Sequence, residues 1–279
     1  MDKDKHDYEV IFVDVGQGDA TIILELSNMH SVLIDAGIAN PVLSVLKRGA
    51  ELEGIFITHW DKDHIGGMPA VISWIKDQHQ REVEVFVNRQ VQSTDISKRL
   101  SKTLNEALED RTIILRMAYK EFPGQVKLID GIFFILWPLH ETGVLYPDDR
   151  NLDSSILRFE VGKFSLLLGG DAKGDVWPCI DQPDLKTDVL RYPHHGGKLY
   201  KKKDDWSADN LISKVNPSWV ILSVGKEKQH GHPSDEFIAV QSGHPNMQFL
   251  TTTEGNINLQ IESSTGNIRM ETGYGANSV

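Results

Sequence analysis

One stretch decides the fold of this 279-residue chain: Thr58-His59-Trp60-Asp61-Lys62-Asp63-His64-Ile65-Gly66-Gly67. It holds four potential metal ligands within six positions, namely His59, Asp61, Asp63 and His64. Imidazole nitrogens and carboxylate oxygens are good ligands for Zn²⁺ and Mn²⁺. An apolar strand predicted at residues 54–58 precedes the stretch, and Gly66-Gly67 leads into a helix predicted at residues 67–76. The alternative is a solvated acidic loop with incidental histidines, which this strand-to-helix setting disfavours.

Composition limits the class of protein. Apolar residues make up 40% of the chain and charged residues 25%, the balance of an ordinary globular protein. The formal net charge of −11 argues against a protein that coats nucleic acid nonspecifically. The one cysteine, Cys179, excludes an internal disulfide and a cysteine-rich zinc ribbon, and we expect it to be buried. Because we find no secretory signal and no long apolar run, we expect a cytoplasmic protein without a membrane-spanning helix.

Strand and helix patterns alternate along the chain. Strands are predicted at residues 8–15, 20–26, 31–34, 54–58, 83–88, 131–137, 155–161, 164–168, 189–193 and 219–224. Helices are predicted at residues 41–48, 67–76 and 96–109 and after Ser234, and residues 249–253 and 257–261 are predicted to form a terminal hairpin. Apolar strands flanked by helices indicate an α/β fold in which helices cover the sheets.

Two more candidate ligand positions stand where predicted strands end. Asp171 follows Leu168-Gly169-Gly170, and His194-His195 follows the strand at residues 189–193. Adjacent strand residues point to opposite faces, so both histidines reach one site only if the chain bends, which Gly196-Gly197 permits. The sequence leaves the choice between His194 and His195 open and favours His195 slightly.

The ligand-rich stretch resembles the HxHxDH signature of the metallo-β-lactamase superfamily, with Asp61 in place of the middle histidine. Further motifs resemble, in order, the hydrolase domain of ComEC-like competence proteins and extend over nearly the whole chain. They are Phe12-Val13-Asp14-Val15-Gly16-Gln17-Gly18-Asp19-Ala20, Leu33-Ile34-Asp35-Ala36-Gly37, Asn151 with Ser154-Ser155, Leu168-Gly169-Gly170-Asp171, Pro193-His194-His195-Gly196, Ser223-Val224-Gly225 and Gly231-His232-Pro233.

This resemblance implies a four-layer αββα sandwich, which we expect to form a single domain over residues 1–279 with two similar halves at 1–125 and 126–279. It also implies two divalent metal ions, Zn²⁺ or Mn²⁺. His59 and Asp61 would hold the first ion, Asp63 and His64 the second, Asp171 would bridge them, and His194 or His195 would complete the second site. The third histidine of classical β-lactamases has no clear equivalent, because the corresponding segment reads Asn151-Leu152-Asp153-Ser154.

Other residues are predicted to support the site. Asp35 would orient a histidine ligand, whereas Asp14 and Asp19 would hold the Gly16/Gly18 turn. Predicted substrate contacts are Asn151, Ser154, Lys198, Lys226 and His232. His232 would bind phosphate or donate a proton to the leaving oxygen. Lys198 and Lys201–203 follow the histidine pair, and Lys226 and Lys228 precede His232; on an acidic chain they would attract a phosphate-bearing substrate locally.

The function predicted from these residues is hydrolysis of a phosphodiester, in DNA or RNA, by a water that two metal ions activate, with Asp63 orienting the water. One alternative is a hydrolase of a small phosphodiester or phosphorylcholine-type ester on the same metals. Another is a catalytically quiet metal-binding protein that binds a partner. ComEC-like domains belong to membrane channel proteins, and we expect this chain to be a stand-alone relative that acts with protein partners in a bacterial multi-component system.

Overall fold

A computed structural model describes residues 6–78, 82–88, 93–140, 149–199, 206–226 and 231–271. Its strands are β1 (Tyr8–Phe12), β2 (Thr21–Glu25), β3 (His30–Ile34), β4 (Glu51–Ile57), β5 (Val83–Val87), β6 (Ile113–Met117), β7 (Gln125–Leu128), β8 (Gly131–Trp137), β9 (Ile156–Val161), β10 (Phe164–Leu168), β11 (Val189–Arg191), β12 (Trp219–Leu222), β13 (Gln248–Thr251), β14 (Ile257–Glu262) and β15 (Asn267–Glu271). Its helices are α1 (Ala39–Leu46), α2 (Lys62–Ile65), α3 (Met68–Asp77), α4 (Asp95–Glu109), α5 (Gln182–Leu185), α6 (Ala208–Val215) and α7 (Asp235–Gly243).

These strands form two mixed sheets. The first sheet has the order β15-β14-β1-β2-β3-β4-β5-β6, antiparallel from β15 to β3 and parallel from β3 to β6. The second has the order β13-β12-β11-β10-β9-β8-β7, parallel from β13 to β10 and antiparallel from β10 to β7. The parallel part of each sheet places several strand ends at the same edge.

Three apolar cores separate four layers. Successive residues of β1 face opposite cores, which is why Val10, Ile11 and Phe12 are all apolar: Ile11 packs toward the helices and Phe12 toward the other sheet. The core between the sheets includes Phe56 stacked on Phe133, with ring centroids 4.9 Å apart. Outer cores join the first sheet to α1, α3 and α4, and the second sheet to α6 and α7. The architecture is therefore the αββα sandwich that the sequence predicts.

The predicted terminal hairpin is wrong. β13 pairs in parallel with β12 in the second sheet, whereas β14 pairs antiparallel with β1 in the first sheet. Between them the chain turns at Thr252–Glu254 and passes Gly255, whose φ of 123° favours glycine. Two short strands therefore lie in different sheets, although their spacing in sequence is that of a hairpin.

Other differences are local. No sequence pattern predicted β6, β7, β15 or α6; the three strands are largely half-buried or exposed and so lack a run of buried apolar residues. Cys179 is exposed, not buried as predicted, because it lies at the end of a short 3₁₀ turn on the surface. Within the part of the chain that the structure describes, no helix combines the length and the apolar character that crossing a membrane requires.

Candidate metal centre

The candidate site lies where parallel strands of both sheets end. β3 ends one residue before Asp35, β4 ends two residues before His59, and β11 ends three residues before His194. Carboxyl ends of parallel strands are where open α/β sheets bind their ligands. The two edges are joined there, because the amide of Ser155 donates to the carbonyl of Thr58 over 2.8 Å and the side chain of Asn88 donates to the hydroxyl of Ser155 over 3.3 Å.

The loop after β4 supplies four side chains to this site. His59 and His64 have fully buried side chains, and their ring centroids are 4.0 Å apart. Asp61 precedes α2 and Asp63 lies in its first turn, and their side chains are 30% and 35% exposed. The stretch therefore presents two buried imidazoles with two carboxylates nearer to solvent.

Asp171 lies between two groups of side chains, and each of its carboxylate oxygens faces one group. Its Oδ2 is 3.8 Å from Nε2 of His59, which in turn is 3.8 Å from Oδ2 of Asp61. We call His59, Asp61 and this oxygen the first subsite. Its Oδ1 is 3.1 Å from Nε2 of His64 and 3.6 Å from Nε2 of His195.

The second subsite is the group around Oδ1 of Asp171: Asp63, His64 and His195. Oδ2 of Asp63 is 3.3 Å from Nε2 of His195. One ligand atom from each of Asp63, His64, Asp171 and His195 lies within 4.8 Å of the others. His194 also reaches the centre, with its Nε2 4.0 Å from Oδ2 of Asp171, so the chain bends at the histidine pair and brings both rings to one place.

Unsatisfied buried atoms show that this cluster fits a metal. The Nε2 atoms of His59, His64 and His195 and Oδ1 of Asp171 are buried and form no hydrogen bond of good geometry with any described residue. Burying such atoms without a partner costs about 1–3 kcal/mol each. Nitrogen and oxygen donors that converge in this way match the ligands of Zn²⁺ or Mn²⁺. The buried His/Asp cluster is therefore a metal-site cluster, whichever ion it takes.

Each buried imidazole is oriented through its other nitrogen. Nδ1 of His64 is 2.7 Å from Oδ2 of Asp35, whose carboxylate also accepts hydrogen bonds from the amide and hydroxyl of Thr58 at 2.8 and 2.6 Å. Nδ1 of His195 is 3.0 Å from the carbonyl of Ser223. Such partners fix the tautomer and ring orientation of histidine ligands. The structure thus places Asp35 where the sequence analysis expects a residue that orients a histidine.

Asp19 lies in this centre as well, which sequence reasoning missed. The predicted role in the glycine turn applies to Asp14, whose Oδ1 accepts from the amide of Gly16 over 3.0 Å. The carboxylate of Asp19 instead forms a buried ion pair with Arg191 and lies 3.3 Å from Nδ1 of His195 and 3.7 Å from Nδ1 of His64. Arg191 was not predicted either, because its place in an apolar strand gives no signal of its partner.

Ser154 does not occupy the predicted substrate position. Its side chain is fully buried, and its hydroxyl accepts a hydrogen bond from the amide of Asp171 over 2.9 Å and lies 3.3 Å from Nδ1 of His59. Its hydroxyl therefore positions Asp171 from the buried side of the site, away from a substrate that enters from solvent. Asn151 is half-buried, and its Nδ2 is 3.3 Å from Nε2 of His194.

The remaining predicted contacts lie around the rim. The ring of His232 stands edge-on to that of His194 at 5.0 Å and stacks on that of His195 at 6.3 Å. Lys198 and Lys226 are exposed. Lys201–203 and Lys228 fall outside the described residues. A further cation, Lys173, lies two residues after Asp171, largely buried and paired with Asp149, and was not predicted.

Burial and charge together set the protonation of the cluster. Burial, with the charge of His64, lowers the pKa of His59 to about 4, so its imidazole is neutral at pH 7. Burial alone would lower the pKa of His64, but the carboxylates of Asp171 and Asp35 outweigh it and hold that pKa well above its ordinary value. Conversely, burial disfavours ionised Asp171, and the neighbouring His195 and His64 lower its pKa well below the ordinary range.

The fold and the His/Asp cluster together define a metallo-β-lactamase-fold protein. The same fold occurs in the metallo-β-lactamase fold protein YhfI from Bacillus subtilis, with a TM-score of 0.57 and 11% identity over 88% of this chain and 98% of that one. It also occurs in a protein described as a new diphosphatase from the PhnP family, with a TM-score of 0.52 and 13% identity over 91% and 98% of the two chains.

Within this class the chain is distantly homologous to ComE operon protein 3 of Bacillus subtilis (strain 168), with 24% identity over 254 residues. Recombination protein 2 of Haemophilus influenzae (strain ATCC 51907 / DSM 11121 / KW20 / Rd) is 28% identical over 231 residues. These matches cover 82% and 80% of this chain but only 30% and 25% of the relatives, so the chain corresponds to one part of much longer proteins. A family model described as "Anti-Pycsar protein Apyc1" matches residues 17–121.

Proposed function

We propose that the protein is a metal-dependent phosphodiesterase that hydrolyses DNA or RNA. One observation carries the proposal: each oxygen of the buried Asp171 faces a separate group of imidazole and carboxylate donors. Two adjacent cation positions that share a carboxylate are the arrangement with which many enzymes cleave phosphodiester bonds. The metal-site cluster therefore supports a hydrolase, and its division into two groups supports the phosphodiester.

The two groups of donors would each hold one cation. His59 and Asp61 would hold one cation, Asp63, His64 and His195 the other, and Asp171 both. Divalent cations, when bound there, lower the pKa of a water molecule and neutralise charge on phosphate oxygens.

The chain's own side chains orient the water, protonate the leaving oxygen and add positive charge for the phosphate. Asp63 is partly exposed, so its carboxylate can accept a hydrogen bond from the attacking water and orient it. His232 at the rim donates a proton to the leaving oxygen, and Lys226 contributes positive charge for the phosphate.

Charge and relatives support a nucleic-acid substrate. On a chain of net charge −11, the lysines at 198, 201–203, 226 and 228 cluster in the two sequence segments that flank His194-His195 and His232. A local concentration of lysines attracts a polyanion even where the net charge of the chain repels it. One of the two homologues is named for recombination.

A small phosphodiester is the second candidate, and it uses the same donors. A protein of the same fold is described as a diphosphatase, which favours phosphorus–oxygen chemistry on a small molecule. A phosphorylcholine-type ester belongs to this candidate as well. A catalytically quiet metal-binding protein is disfavoured, because the side chains of Asp61 and Asp63 are 30% and 35% exposed, which leaves the donor set open to a substrate.

A substrate panel tests the proposal. The purified protein, loaded with Mn²⁺ or Zn²⁺, is assayed on single- and double-stranded DNA and RNA and on bis(p-nitrophenyl) phosphate, with and without chelator. We expect metal-dependent cleavage of at least one nucleic acid and a loss of more than about 100-fold in Asp63→Ala and Asp171→Ala. Turnover of the small ester without cleavage of any nucleic acid would support the second candidate, and full activity in both variants would contradict a metal mechanism.

The lysines at 201–203 have their own test. Replacing Lys201, Lys202 and Lys203 together by Ala should reduce cleavage of polymeric nucleic acid more than that of bis(p-nitrophenyl) phosphate, because only the polymer carries further phosphates for lysines to contact. The loss should shrink as salt rises, since salt screens contacts to phosphates. Equal losses on both substrates would show that these lysines do not select a polymer.

A further inference from the structure

The first subsite has fewer donors than the second. His59, Asp61 and the shared oxygen of Asp171 make up the first, whereas the second has Asp63, His64 and His195 besides the other oxygen. Nor does the segment at Asn151–Ser154 contain a histidine that could supply a further nitrogen. A further nitrogen donor for the first subsite would therefore come from outside that segment.

We propose that His194 is that donor, so that the two adjacent histidines serve different cations. The proposal rests on the two-cation centre of the proposed function. Nε2 of His194 is 4.0 Å from Oδ2 of Asp171, the oxygen that faces His59, whereas Nε2 of His195 is 3.6 Å from Oδ1. The pair straddles the bridging carboxylate, with one imidazole toward each of its oxygens.

Backbone conformation produces this division. His194 and His195 have φ values of 53° and 51°, a left-handed conformation that non-glycine residues rarely adopt twice in succession. In an extended strand the two side chains would point to opposite faces, whereas two left-handed residues turn both rings toward Asp171. The cost of such backbone, about 1–3 kcal/mol per residue, indicates that both rings are needed in the centre.

Hydrogen bonds fix this turn. The amide of His194 donates to the carbonyl of Gly170 over 2.9 Å, which ties the pair to the loop that carries Asp171. The carbonyl of Gly196 accepts from both the amide and the hydroxyl of Ser234 at 2.8 Å. Hydrogen bonds therefore hold the turn on both sides and fix the position of His194 next to Asp171.

The tautomer of His194 also suits a ligand. An amide N–H of Asn151 donates to Nε2 of His194 over 3.3 Å, so this nitrogen carries a lone pair, the form in which imidazole binds cations. In the metal-free chain Asn151 thus donates a hydrogen bond to this lone pair, and that hydrogen bond has to break when a cation binds at the first subsite. This gives Asn151 a place in the centre other than the predicted substrate contact.

Metal content tests the proposal without reference to any substrate. The full chain is equilibrated with Co²⁺, passed through a desalting column and analysed for cobalt per chain. His194→Gly and His195→Gly remove the imidazoles while keeping a residue that adopts positive φ without strain. We expect two ions in the wild type, one in each single variant and none in the double variant. His232→Ala, which changes the neighbouring ring, is the matched control and should keep two ions.

The double variant decides between the assignments. If both histidines bound the cation of the second subsite, the double variant would keep one ion. If His194 were not a ligand, His194→Gly would keep two ions. Either result overturns the proposal. Asp61→Ala combined with His194→Gly should keep one ion, because both changes empty the same subsite. One ion in the wild type would contradict the two-cation centre, and with it the proposed function, whereas two ions in His194→Gly would overturn this inference alone.

Should His194→Gly fail to fold, His194→Asn retains the left-handed backbone and gives the same count. Urea unfolding of each metal-free variant confirms that a lost ion reflects a lost ligand.

Discussion

At the scale of single residues, the ion pair between Asp19 and Arg191 couples the glycine turn after β1 to the histidines. Both side chains are only 3% exposed, and burial lowers the pKa of Arg191 to about 9, so the guanidinium is still charged at pH 7. The carboxylate of Asp19 also lies against Nδ1 of His195. A buried pair of this kind is costly to break, because removal of one partner leaves the other charged and alone.

Asp19→Asn should therefore lower the free energy of unfolding of the metal-free protein by about 3–5 kcal/mol. Asp19→Asn combined with Arg191→Met should recover most of that loss, because the buried charge is gone, while Co²⁺ affinity stays reduced without the carboxylate beside His195. Urea unfolding and cobalt titration measure the two effects separately. A loss below about 1 kcal/mol in Asp19→Asn would show that the pair adds little to stability.

At the scale of elements, the start of α2 is clamped between two glycine loops. The amide of Asp19 donates to the carbonyl of Asp63 over 2.9 Å. A Cβ atom at Gly18 would lie 2.5 Å from that oxygen, and one at Gly37 2.3 Å from it. Both glycines are required because two loops approach one carbonyl group. The glycine-rich motifs at Gly16–Asp19 and Asp35–Gly37 thus position the helix that carries Asp63 and His64.

Gly37→Ala should push α2 away and weaken the second subsite. We expect a loss of about 1–3 kcal/mol in the free energy of unfolding and a lower Co²⁺ affinity. Gly243→Ala is the matched control, because a Cβ atom there meets no atom of a described residue within 4 Å. Chemical unfolding and metal titration of both variants are the measurements. An unchanged affinity in Gly37→Ala would show that the loops can yield without moving the helix.

The elements that carry ligands could be predicted from sequence, because there local pattern and chemistry agree. The apolar β4 and the spacing of His59 to His64 indicated a strand, a turn and a helix that carries donors. The pairing of β14 with β1 could not be predicted, since no local pattern distinguishes a neighbour in the other sheet from a hairpin partner. Ser154 and Asp19 likewise contact residues that are far away in sequence. Local sequence therefore suggested a substrate contact for Ser154 and a turn for Asp19, and it gave no sign of their buried partners.

At the scale of the whole molecule, two tyrosines link its stability to alkaline pH. Tyr192 is fully buried, and burial, with the charge of Glu236, raises its pKa well above the ordinary value of 10. Tyr8 donates from its hydroxyl to the carbonyl of Ile129 over 2.7 Å, which joins the two sheets, and burial raises its pKa as well. A group whose pKa is raised in the folded state stabilises the protein fully below its unfolded pKa.

The free energy of unfolding should therefore fall as the pH rises above about 10, by up to about 1.4 kcal/mol per pH unit for each tyrosine. Tyr192→Phe should make this fall shallower and leave stability at pH 8 almost unchanged, because the Tyr192 hydroxyl has no hydrogen-bond partner among the described residues. Urea unfolding from pH 8 to pH 11 measures both slopes. Identical slopes in the variant and the wild type would rule out Tyr192 as a source of the dependence.

The pairing of β1 with β14 also determines the order in which the molecule can assemble. Tyr8 lies opposite Ile261, so the first sheet joins strands from opposite ends of the described chain. During synthesis, β1 to β6 emerge long before β14, and until then one edge of β1 offers unpaired backbone groups to any other strand. Closing so long a loop is slow, and contacts this far apart in sequence delay folding. Until β14 has been synthesised, the open edge of β1 is therefore a site at which an incomplete chain can pair wrongly with a neighbouring copy.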